Sequence, residues 1–120
     1  MSKQKIGLIL LGLVGLALIG SGIFKIIGAA EMGESFGNAN VPYILAATEF
    51  AIVIALAIPK TRMLGVILGA SYFGGAICAA WLIEGEFPLP AMVLNTILYV
   101  GAYLYRPSLA DGHPTVIAIT

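Results

Sequence analysis

Residues 6–27 read IGLILLGLVGLALIGSGIFKII, an apolar run that meets no charge until Lys25. As a helix it spans about 33 Å at 1.5 Å per residue, enough for a hydrocarbon core of about 30 Å. Lys3 and Lys5 precede it, as in the positive n-region of a signal peptide, but the run is longer than a usual h-region and is expected to stay as a span. Three further apolar runs follow. The second, 43–58, opens after Pro42 and closes at Pro59. The third, 63–83, follows the basic turn Lys60-Thr61-Arg62. The fourth, 89–105, starts among Pro88 and Pro90 and closes at Arg106-Pro107. Strands of a membrane barrel alternate apolar and polar residues. These runs are apolar all round, so helices are predicted.

Composition points the same way. Of 120 residues, 60% are hydrophobic and 10% charged, against about 25% charged in an ordinary soluble domain. A chain this short cannot hide that much apolar surface in its own core. The net charge of zero suggests no nucleic-acid partner. The lone Cys78 rules out an internal disulfide, and the lone His113 falls in the tail. No cofactor ligated by histidines or by a cysteine pair is therefore expected.

Lys3, Lys5, Lys60, Arg62 and Arg106 share one side of a four-span arrangement, and only Lys25 falls on the other. Basic residues mark the cytoplasmic side. The expectation is an all-α, membrane-embedded antiparallel four-helix bundle, N-in and C-in, multi-pass in the cell inner membrane. It occupies residues 1–107, with a cytoplasmic tail over 108–120. Residues 28–42 are expected to be a loop, and the apolar tail end Val116–Ile119 is too short to cross. Gly65 and Gly69, the row Ser71, Gly75 and Ala79, and the row Ala47, Ala51 and Ala55 are small residues at four-residue spacing. They are expected to pack helices together or to form a homodimer face.

Two ionisable residues lie inside the spans. Lys25 is near the outer end of the first helix and Glu49 deeper in the second, about 6 Å apart in depth by the helical rise. A lone charge there costs about 2.5–3.5 kcal/mol on insertion scales, so a Lys25–Glu49 contact is expected. Ser21, one turn before Lys25, and Thr48, Asn95, Cys78 and Trp81 come to similar depth. Lys25, Glu49 and Asn95 are the candidate cofactor- or ligand-binding groups of a polar pocket that opens outward, with Ser21, Thr48, Cys78 and Trp81 nearby. No catalytic or metal-ligating residue is assigned. Plainer roles compete: a snorkelling Lys25, a structural Glu49, Asn95 as interhelical glue, Cys78 as a small core residue, and Trp81, Tyr43, Tyr99, Tyr103 and Tyr105 as interface or packing aromatics.

The chain resembles the DoxX-like family of small membrane proteins over residues 6–107. The resemblance is carried by Ser21-Gly22-Ile23-Phe24-Lys25, by Glu49 in a helix opening after Pro42-Tyr43, by the turn Ile58-Pro59-Lys60-Thr61-Arg62 before a Gly/Ala-rich helix, and by Arg106-Pro107. It implies a four-helix membrane fold, and some relatives are linked to sulfur-compound oxidation with electron transfer to quinone. Many members carry a histidine near the outer end of the third helix. Here that stretch is Cys78-Ala79-Ala80-Trp81-Leu82, so a role that needs that imidazole does not carry over. Three functions fit these readings. One is an accessory or small-molecule-binding subunit, quinone-linked, of a larger membrane redox complex whose partner supplies the electron carriers. The second is an oligomeric carrier of a small solute or proton. The third is a purely structural or assembly subunit.

Overall fold

The computed structural model describes residues 2–108. His113 and the apolar end of the tail lie outside the described residues. Among those described, the chain is all-helical, with five α-helices and one 3-10 turn.

Helix α1, Lys3–Ile27, starts on Ser2, whose hydroxyl accepts the backbone N–H of Lys5 at 3.2 Å. Such an N-cap satisfies one of the free donors of the first turn. Helix α2, Ala29–Phe36, occupies part of the expected loop. The correction has a local cause. Ala29, Ala30 and Glu31 favour helix, and Glu31 complements the positive N-terminal end of the dipole. Gly37 then stops it in the left-handed conformation, φ 73°. The N–H of Asn38 bonds the carbonyl of Gly33 at 2.9 Å, and that of Gly37 bonds Glu34 at 3.2 Å, the double closure of a Schellman end.

Helix α3 is Val41–Ala57, with Pro42 in its first turn. Pro59–Thr61 forms the 3-10 turn, and α4 is Arg62–Leu82. Helix α5 is Leu89–Tyr105. Arg62 fastens the turn. Its Nε donates to the Leu56 carbonyl at 2.8 Å and its Nη2 to the Ala57 carbonyl at 3.1 Å, capping the free carbonyls of α3. Its Nη1 donates to the Tyr105 hydroxyl at 3.2 Å, with the guanidinium 5.3 Å from that ring's centre.

Helix α1 packs on α3 and α5, and α4 packs on the same two helices. The core is a column of apolar side chains, among them Leu11, Val14, Ile52, Val66 and Leu98. Glycines set the closest approaches. A Cβ on Gly7 would lie 2.5 Å from the Tyr105 backbone nitrogen, and one on Gly65 would lie 2.8 Å from that of Leu56. At Gly69 it would meet Leu98 at 3.2 Å. The Gly65–Gly69 pair thus packs as expected. Of the other two rows, only Ala55 approaches a neighbouring helix, at Gly65. Gly75 has no neighbour within 4 Å of an added Cβ, and Ala47 and Ala51 are exposed.

Two helical stretches are long and apolar enough to cross a membrane: Lys3–Ile27, with a mean hydropathy of 2.4, and Pro59–Leu82, with 1.8. Helices α3 and α5 are apolar and, at 17 residues each, shorter. Large apolar side chains face outward on all four, for example Leu16, Ile54, Ile67 and Val100.

Candidate functional site

Glu49 stands on the inward stripe of α3, with Pro42, Ala46, Ile52 and Leu56. These positions recur at helical spacing and share one face. The side chain is 0% exposed. A buried carboxylate needs partners, and three side chains converge on its Oε1. Lys25 Nζ from α1 lies 2.5 Å away. Ser21 Oγ, one turn earlier on α1, donates to it at 3.2 Å. The Tyr72 hydroxyl from α4 donates to it as well. Lys25 Nζ also donates to Ser21 Oγ at 2.6 Å, so the four polar groups form one connected cluster.

The other carboxylate oxygen is different. Glu49 Oε2 is buried and no described protein group hydrogen-bonds it. A carboxylate can accept at both oxygens, and the described residues use one of them.

The cluster borders a cavity of about 740 Å³. Leu18 and Phe24 of α1, Leu45 of α3, Phe73 and Ala76 of α4, and Leu94 of α5 contribute apolar walls. Ser21, Lys25, Glu49 and Tyr72 make its polar floor. At the exposed rim, Glu84 and Glu86 come from the segment joining α4 to α5. The row Ser71, Gly75 and Ala79 lines this cavity instead of packing a helix. Small residues there leave room where larger ones would fill it.

The structure therefore brings together Lys25, Glu49 and Ser21. It does not bring in the other candidates. Thr48 immediately precedes Glu49 in sequence but points more than a quarter-turn away, as a 3.6-residue period dictates. It is exposed, and its hydroxyl bonds the Ile44 carbonyl of its own helix at 2.9 Å. Cys78 is exposed rather than in the core. Trp81 is 57% exposed and stacks edge-on against Phe87, at 5.8 Å between ring centres. Asn95 is half-buried and does not line the cavity; its Oδ1 is buried without a described protein partner. Of the remaining aromatics, Tyr43, Tyr99 and Tyr103 are exposed, while Tyr105 packs under Arg62.

Tyr72 is the member of the cluster that sequence reasoning missed. A signal for it existed. Across the turn, Gly65 faces Leu56 and Gly69 faces Ile52. Continuing that register by one turn sets Tyr72 opposite Glu49. The rim carboxylates Glu84 and Glu86 also belong to the cavity.

No protein-family model, curated protein or solved structure matches this chain.

Proposed function

We propose that the chain is a DoxX-like protein of the cell inner membrane: an antiparallel four-span bundle, both ends cytoplasmic, that binds a small amphiphile in its outer half. The amphiphile is a quinone-type carrier, and the protein serves as an accessory subunit of a larger redox complex. The observation that carries the binding reading is the cavity of about 740 Å³, mostly apolar in its walls, with Ser21, Lys25, Glu49 and Tyr72 at its floor and Glu84 and Glu86 at its rim. Ligand sites generally occupy about 300–1,000 Å³ and combine mostly apolar walls with a few fixed polar groups.

Support for the membrane reading comes from the surface. Large apolar side chains face outward on α1, α3, α4 and α5, and exposed apolar surface of this kind marks an interaction with lipid or a partner. The charges are segregated as well. Gly7 against Tyr105, and Arg62 on Tyr105, bring the start of α1, the 59–61 turn and the end of α5 to one end. That end holds Lys3, Lys5, Lys60, Arg62 and Arg106. The cavity rim, with Glu84 and Glu86, belongs to the other. Helix α2 then lies at the outer surface between the first two spans. The quinone assignment draws on the resemblance over residues 6–107 and on the fit of a ring-and-tail molecule to such a cavity.

A carrier reading draws less support, because Leu11, Val14, Leu56 and Leu98 fill the interior between Glu49 and the basic end. The test is gentle purification from the native membrane into lipid nanodiscs, followed by identification of retained small molecules and proteins. Retention of a quinone, or of a dehydrogenase subunit, is the expected outcome. A preparation holding only bulk phospholipid, whose unfolding temperature does not respond to added quinone analogues, would refute the reading.

A further inference from the structure

We propose that the cavity selects a neutral amphiphile whose head group donates a hydrogen bond, a hydroxyl such as that of a phenol or quinol, seated on Oε2 of Glu49. The inference rests on the reading of the cavity as a ligand site and goes further by fixing the chemistry of the head group.

The floor's remaining hydrogen-bonding capacity decides the matter. Ser21 and Tyr72 each spend their hydroxyl proton on Glu49 Oε1. Lys25 has three N–H donors, and two of them go to Ser21 Oγ and Glu49 Oε1. What remains is Oε2 of a fully buried Glu49, the acceptor of the floor with no described protein partner at all, one N–H on Lys25, and lone pairs on the Tyr72 hydroxyl, which already has Glu49 as its partner. A buried acceptor without a donor is costly, and a ligand that satisfies it gains that cost back. A hydroxyl answers both groups, donating to Oε2 and accepting from Lys25. A carbonyl accepts from Lys25 but leaves Oε2 unpaired. An ammonium donates to Oε2 but has nothing to offer Lys25, whose like charge opposes it.

Charge excludes the third common head group. Lys25 is the one cation among the lining residues, and Glu49, Glu84 and Glu86 are three carboxylates. A carboxylate head must pass the two at the rim and then sit against the third. Like charges brought together with little water between them repel strongly. The site therefore favours the reduced, hydroxyl-bearing form of a ring-and-tail carrier over its oxidised dicarbonyl form, and either over an anion.

The experiment titrates the purified full chain in nanodiscs with three ligands of equal tail: decylhydroquinone held reduced without oxygen, decylbenzoquinone, and decylbenzoate. The hydroquinone is expected to bind about tenfold tighter than the quinone, as a hydrogen bond to a charged group warrants, with decylbenzoate weakest. Equal affinity for hydroquinone and quinone, or the reverse order, would overturn the selectivity while leaving the cavity reading intact. Failure of all three to bind would overturn both. Glu49→Gln supplies a second arm. Its amide nitrogen presents N–H donors, so the preference for the hydroquinone should shrink or invert. An undiminished preference in a folded Glu49→Gln protein would show that the selective contact is not Oε2.

Discussion

Tyr72 and Lys25 reach the same oxygen, Oε1 of Glu49, from two different helices. One carboxylate oxygen thus joins α1, α3 and α4 at the base of the cavity. With its described donors all on Oε1, Glu49 keeps Oε2 buried and without a described protein partner. The oxygen that ties the helices together and the oxygen to which the proposed head group would donate belong to one side chain.

Lys25→Met and Glu49→Leu should each destabilise the protein, and the double change should cost less than their sum. Breaking one side of a buried pair commonly costs about 3–5 kcal/mol, whereas replacing both partners can be nearly neutral. Glu49→Leu should fall below that range, because the Lys25 left behind retains 16% side-chain exposure and can snorkel. Lys25→Met leaves a fully buried Glu49 with only the Ser21 and Tyr72 hydroxyls and should cost more. Thermal unfolding of the four proteins in one detergent measures the coupling. Strict additivity would mean the pair contributes no joint energy. A folded double variant that fails to complement a strain lacking the protein separates a functional pair from one that only locks the fold.

Tyr72→Phe removes one donor from Oε1 and little else. The expected loss is about 1.5–3 kcal/mol, the usual range for a hydrogen bond to a charged group. It should largely vanish in a Glu49→Leu background. An equal loss in both backgrounds would place the effect in packing against Phe73, whose ring centre is 6.0 Å from that of Tyr72.

The glycines of α4 should part company. Gly65→Ala pushes a methyl group to 2.8 Å from the Leu56 nitrogen, where backbone cannot easily yield, and should lower the unfolding temperature. Gly75→Ala meets nothing within 4 Å and should hold or raise it, since Ala is favoured over Gly in helices by about 1 kcal/mol. Gly69→Leu should lower the yield of folded protein through its contact with Leu98. Equal effects at 65 and 75 would remove the distinction between packing row and cavity wall.

Orientation is tested with reporters active only outside the cytoplasm. Fusions after Glu34 and Glu86 should be active, and one after Arg62 silent. Activity at Arg62 would overturn the four-span topology.

Depth was legible in the sequence, and direction around the helix axis was not. Counting residues from the ends of apolar runs put Lys25, Ser21 and Glu49 at one level, and the structure joins them. The same counting added Thr48, Cys78, Trp81 and Asn95, which share the level but face elsewhere or stand apart. Helices that are apolar all round carry no amphipathic stripe to reveal which side turns inward. The small-residue rows suffered from the same gap: Gly65 and Ser71 look alike in spacing, yet one meets a backbone and the other borders a cavity. Helix α2 was hidden for another reason. Its glycines suggested a loop, while its Ala-Ala-Glu start and the Gly37 stop only make sense read together. A tight 59–61 turn puts Tyr72 at about the depth of Glu49, but that it turns toward Glu49 is a matter of direction, which the structure supplies.

The most direct test of the cavity as a ligand site is to fill it. Gly75→Phe places an aromatic ring in the space that Gly75 leaves open, away from the Lys25–Glu49 joint. Titration of decylbenzoquinone into wild-type and Gly75→Phe protein in nanodiscs, with unfolding temperatures measured in parallel, should show saturable binding to the wild type and at least about tenfold weaker binding to an equally stable variant. Unchanged affinity in a folded Gly75→Phe protein would contradict the claim that this cavity is where the ligand sits.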